Sequence, residues 1–143
     1  MFTPSRREAR EFLFLTWKKY QYNQILTQIE NVALQVMLLH PEYHAALSQA
    51  EKYLERDYLP EFGETNPFLH MSMHLAIEEQ LSIDQPHGIL AAFNTLRSKL
   101  ESEHDAKHRI MDCLGETLWQ AQRSGQPPDT ALYLDCLTRA TQS

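Results

Sequence analysis

Apolar residues recur at three- and four-residue intervals along almost the whole chain, the period that gives a helix one apolar face and one wet face. Only four glycines occur and runs of β-branched residues are scarce, so strands have little to be built from. The expected fold class is all-α, a helical bundle of about six or seven helices around a four-helix-bundle-like core. At 143 residues the chain is expected to form a single domain, long enough to bury a core without staples.

Start and stop signals divide the period into segments. Ser5 and Glu8 have the spacing of a capping box, in which a hydroxyl and a carboxylate each satisfy a free backbone N–H, and the helix they open runs to about Tyr20. Thr27 and Glu30 form a second box, for a helix that ends near His40 because Pro41 follows. A helix from Pro41 to about Leu54 is expected next, then a loop over residues 55–66 with Pro60 and Gly63. Asn66 and Pro67 have the types of an N-cap and first helical residue, and Asp84 and Pro86 stop that helix. Further helices are expected from about Gly88 to Leu100, from about Ser102 to Arg123 with Gly125 as the stop, and from Asp129 to about Arg139.

A net charge of −6 argues against nucleic acid as a partner, because phosphate binding needs a basic face. Arg6, Arg7, Arg10, Lys18 and Lys19 are read as the solvated side of the first helix. Neither a signal peptide nor a membrane span is legible, since MFTPSRREAREF carries charges where an apolar core belongs. Cys113 and Cys136 are too few for a secreted disulfide framework and lack C-x-x-C spacing, so reduced thiols in a cytoplasmic protein are expected. An apolar stripe on a terminal helix would serve a homodimer as well as a core.

Six of the seven histidines fall into three pairs of identical spacing: His40 and His44, His70 and His74, His104 and His108. Random placement gives roughly 0.3 such pairs. On an α-helix, i and i+4 point the same way with Cβ atoms about 5–6 Å apart, which suits two imidazoles sharing one metal ion. On a helical wheel His70, His74, Ile77 and Leu81 share one face with Glu78 at its edge, while His104, His108 and Gly115 lie among Met111, Leu118 and Trp119. The methionines and tryptophans are read as core. The candidate metal ligands are therefore His44, His70, His74, Glu78, His104 and His108. His40, next to Pro41, is read as a capping or loop residue, Glu30 as a capping residue and His87 as part of a turn; Asp112 lies at the edge of the histidine arc.

Imidazoles with a carboxylate suit iron, zinc, nickel or copper, and no cysteine cluster is present for structural zinc or an iron–sulfur centre. Iron in redox or oxygen-linked chemistry is the first expectation, at a mono- or dinuclear site. Zinc-dependent hydrolysis or transfer is the second, and a non-catalytic protein with hydrogen-bonded histidines the third. His74-x-x-x-Glu78 and His104-x-x-x-His108 resemble the ligand pattern of haemerythrin-type di-iron bundles, a likeness of motif only. HPEYH is no zincin motif, because Pro41 stands where the glutamate is required.

Over nearly its full length the chain resembles the small bacterial family called domain of unknown function 1841. The likeness rests on MFTPSRREAREFLF, HPEYH, RDYLPEFGETNPFLHMSMHLAIEEQLSIDQP and HDAKHRIMDCLGETLWQAQRSG. That family implies a bacterial setting and no activity.

Overall fold

A computed structural model describes residues 6–54 and 66–142, with only the backbone of Arg6. Ser5, with its capping box, and nearly all of the expected loop over residues 55–66 lie outside the described residues. The helices are α1 (Arg6–Gln21), α2 (Gln28–Leu38), α3 (His44–Leu47), α4 (Ala50–Tyr53), α5 (Pro67–Ile83), α6 (Ile89–Leu100), α7 (Glu103–Ser124) and α8 (Thr130–Gln142), with a 3-10 turn at Pro41–Tyr43. No strand occurs among the described residues, so the class is all-α. Two compact units divide the chain, Met1–Leu75 and Ala76–Ser143, and α5 runs through the boundary.

The helix ends follow the chemistry of their termini. Thr27 accepts the Glu30 N–H while Glu30 accepts the Thr27 N–H, closing the capping box of α2. Asn66 Oδ1 accepts from the N–H groups of Phe68 and Leu69 at the start of α5. Ser102 caps α7 through the Asp105 N–H, and Gly125 ends it in the left-handed conformation, with φ of 70°. Asp129 caps α8, which runs three residues beyond Arg139 to Gln142. Between α6 and α7 the chain breaks at Glu101, itself left-handed with φ of 54°.

The expected helix over residues 41–54 is instead a 3-10 turn and two single-turn helices. Polar side chains take up carbonyls there: Ser48 Oγ donates to the His44 carbonyl and Gln49 Nε2 to that of Ala45. Trp17 Nε1 donates to Ser48 Oγ at 3.0 Å, tying the break to α1. Such local side-chain bonds compete with the helical ladder.

In the first unit the core is built from Leu13, Phe14 and Trp17 of α1, Ala33, Leu34, Val36 and Met37 of α2, Leu47 of α3, and Phe68 and Met71 of α5. The basic start of the chain is only partly a solvated face. Arg10 is 1% exposed, donates from Nη1 to the carbonyls of Tyr53 and Leu54, and lies over the Phe68 ring. Its side chain thus ties α1 to the end of α4, a role that charge alone did not reveal.

Lys19 pairs with the buried Glu30 at 2.9 Å. The Thr27 N–H and then the Lys19 ammonium hold the Glu30 carboxyl below its ordinary value of 4.5. A lowered folded value means that this stabilisation is complete above pH 4.5 and drains away as pH falls through the lowered value. Glu30→Gln is therefore expected to flatten the acid limb of stability in urea titrations taken from neutral pH downward. Thr27→Ala, which removes the other half of the box, should cost about 1 kcal/mol. An unchanged acid limb in the Glu30 variant would refute this assignment.

In the second unit α6, α7 and α8 each pack on the other two. Ile89, Phe93 and Leu96 face inward from α6, Ala106, Ile110, Met111, Cys113, Leu114 and Thr117 from α7, and Tyr133, Leu137 and Ala140 from α8. Tyr133 donates its hydroxyl to Gln80 Oε1 at 2.7 Å, and burial raises its pKa, so the phenol stays protonated.

The buried face of α7 corrects the wheel. Leu118 and Trp119 are exposed, the latter at 51%, with Arg123 over the indole. Cys113 is fully buried on the same helix. A helix flanked by two neighbours buries a wide arc, and the wheel had placed that arc on too narrow a stripe.

The cysteines are also corrected. Cys113 of α7 and Cys136 of α8 form a disulfide, with Cα atoms 5.6 Å apart, in place of the expected reduced thiols. Facing positions on two packed helices bring together residues 23 apart in sequence, and no spacing motif announces such a pair. Among the described residues no helix is long and apolar enough to cross a membrane.

Candidate metal centre

Three histidines converge in the first unit, from two places in the chain. His70 and His74 lie one turn apart on α5, on the face that also buries Phe68, Met71 and Ile77. His40 immediately follows the C-cap of α2 and is 3% exposed, as is His74. One ring nitrogen from each of the three lies within 4.8 Å of the others. His70 Nε2 is 3.2 Å from His40 Nε2 and 3.2 Å from His74 Nε2. The ring centroids are 4.8–4.9 Å apart throughout.

Hydrogen-bond capacity bears on what this geometry can do. His40 Nδ1 lies 2.8 Å from the Val36 carbonyl. A carbonyl only accepts, so Nδ1 carries the proton and Nε2 of the neutral ring presents a lone pair. His70 Nε2 has a single in-plane position, either N–H or lone pair, yet faces two other Nε2 atoms at equal distance. One directed hydrogen bond can use one of those neighbours. A shared cation uses all three lone pairs. With metal–nitrogen bonds of about 2.0–2.1 Å and tetrahedral angles, neighbouring donors sit about 3.3 Å apart, close to the separation seen here. The Val36 carbonyl is the kind of outer partner that fixes the tautomer and direction of a ligating imidazole.

The remaining candidates are placed as follows. His44 is turned away from the convergence: its Nε2 donates to the Met37 carbonyl at 2.7 Å, and its ring lies 4.4 Å from that of Trp17. His44 was read as a ligand projecting from a helix, with His40 set apart by Pro41, and the two rings do point different ways. The i, i+4 rule holds along a continuous α-helix, whereas His40 sits ahead of the 3-10 turn in a non-helical conformation, with φ of −127° and ψ of 68°. Tyr43, not His44, lies over His40, stacked at 5.4 Å and 7° between planes.

In the second unit His104 and His108 meet edge to face at 4.1 Å, both half-buried. Glu78 pairs with Lys107 at 2.5 Å, and Lys107 also reaches Glu103. Burial alone would lower the Lys107 pKa, but the Glu78 and Glu103 carboxylates outweigh it and raise the value. Asp112 is exposed beside Arg109, and Glu30 is taken up by its capping box and Lys19. His87 sits in the expected turn against Asp84, which also accepts the N–H groups of Gly88 and Leu90 at the start of α6.

His40 is the residue that the sequence reading left out. Its signal was its place at the end of α2, four residues after Val36, where a side chain reaches the last free carbonyls of a helix.

Compared with known families, the chain matches the one described as Domain of unknown function (DUF1841) over residues 5–139, and it belongs to that family. No curated protein matches it. No solved structure matches it either.

Proposed function

We propose that the protein binds one transition-metal ion through His40, His70 and His74. The observation that carries the proposal is the convergence of three Nε2 atoms at 3.2 Å spacings on His70, which outnumbers the hydrogen bonds that one ring nitrogen makes.

Glu78 is engaged by Lys107, and His104 packs against His108, so neither is counted among the ligands. Without a bridging carboxylate the proposed centre is mononuclear. Imidazole ligands serve iron, zinc, copper and nickel. Iron, for redox or oxygen-linked chemistry, is the metal we put first, and zinc as a Lewis acid for hydrolysis or transfer is second.

Protein purified anaerobically is expected to carry near-stoichiometric metal by elemental analysis. Iron with a visible chromophore would support the redox reading, and colourless zinc the second. Metal-free protein that also refuses added Fe, Zn, Ni and Cu would overturn the proposal.

A further inference from the structure

Tyr43 ends the short 3-10 turn that Pro41 begins, with its N–H donating to the His40 carbonyl at 3.0 Å. That hydrogen bond folds the chain back on His40, itself outside the turn at φ −127° and ψ 68°, and the phenol ring lies along the His40 imidazole. The planes are 7° apart, with centroids at 5.4 Å. The same ring meets His70 edge-on at 5.9 Å and 71°. One half-buried aromatic side chain thus touches two of the three converging imidazoles.

The two constraints on His40 are complementary. The Val36 carbonyl at 2.8 Å fixes which nitrogen carries the proton, and therefore where the lone pair sits. It leaves the ring free to rock about that hydrogen bond. A parallel aromatic neighbour opposes such rocking, because offset-stacked rings resist tilt.

We infer that Tyr43 is a positioning residue that orients the His40 imidazole and thereby sets the donor geometry of the centre. The inference rests on the metal-binding reading above. What it requires is the ring face of Tyr43, so phenylalanine is expected to replace it and an aliphatic side chain of similar reach is not. Burial, and then the neighbouring Glu42 carboxylate, raise the Tyr43 pKa and keep it a neutral phenol, in keeping with a role for the ring.

The test is cobalt(II) titration of the full-length wild type, Tyr43→Leu and Tyr43→Phe, followed by visible absorption. Tyr43→Leu is expected to bind cobalt about tenfold more weakly, in the range of lost outer partners, with altered d–d bands, and Tyr43→Phe to restore both affinity and spectrum. Wild-type affinity and bands in Tyr43→Leu would overturn the inference, as would equal losses in the two variants. A merely structural role would change stability and leave the bands of the bound ion alone.

Nitrogen-15 spectra of metal-free protein judge the inference separately. His40 is expected to show one fixed Nδ1–H tautomer in wild type and an averaged ring in Tyr43→Leu; unchanged His40 signals in that variant would refute the role. Failure of the wild type to take up cobalt would remove the metal reading, while the His40 spectra still decide whether Tyr43 orients the ring.

Discussion

His70→Ala is expected to abolish near-stoichiometric metal binding, the largest effect of any single substitution in the cluster. His70 Nε2 is the atom that both His40 and His74 approach at 3.2 Å, so its removal takes away the central member of the set. The loss should exceed the 10–100-fold typical of an outer-shell partner. His44→Ala supplies the contrast within the same family of pairs. It loses a hydrogen bond to the Met37 carbonyl and a contact with Trp17, so it should cost about 1–2 kcal/mol and leave the metal load intact. Elemental analysis of the two variants beside the wild type, with urea unfolding, separates the roles. Equal metal content in all three proteins would contradict the assignment.

The second large effect concerns the link between α7 and α8. Replacing both Cys113 and Cys136 by alanine removes a cross-link between residues 23 apart, and the chain-entropy argument gives a loss of about 3 kcal/mol. That corresponds to a fall in Tm on the order of 10 °C. Cys113 is fully buried among the residues that α7 turns inward, so the lost cross-link is felt in the core of the second unit. Alkylation of unreduced protein followed by mass spectrometry should find neither thiol modified. Two alkylated thiols, or a Tm indifferent to the double substitution, would refute the cross-link.

The residues that announced the helices were mostly those that satisfy free backbone groups. Thr27 with Glu30, Asn66 before Pro67, Ser102 and Asp129 each stand where a cap forms, because a short polar side chain there has a local partner whatever the tertiary structure does. The class followed for the same reason, since a 3.6-residue period is local information. Faces were harder. The α5 face was legible, with Met71, His74 and Ile77 buried as the wheel placed them. The α7 face was legible only in part: Leu118 and Trp119, placed on the histidine face, are exposed, because a wheel drawn for one helix does not contain the two helices that α7 packs against.

The candidate centre was legible to the extent that it lay on one regular helix. His70 and His74 were found from spacing alone, and their rings do meet. His40 and His44 share that spacing but not its consequence, because Pro41 starts a 3-10 turn between them and turns His44 toward Trp17. Glu78 lay on the right face of α5, yet the pull of Lys107 depends on a partner in α7 that no local pattern specifies. Arg10 belongs to the same group: its burial follows from the carbonyls of Tyr53 and Leu54, more than forty residues away.

X-ray absorption on the metal-loaded wild type tests the shared ion most directly. A first shell with three imidazole nitrogens at about 2.0–2.1 Å is the predicted result, given the donors that surround His70. A shell dominated by oxygen or sulfur, or protein that holds no ion at any added concentration, would contradict it.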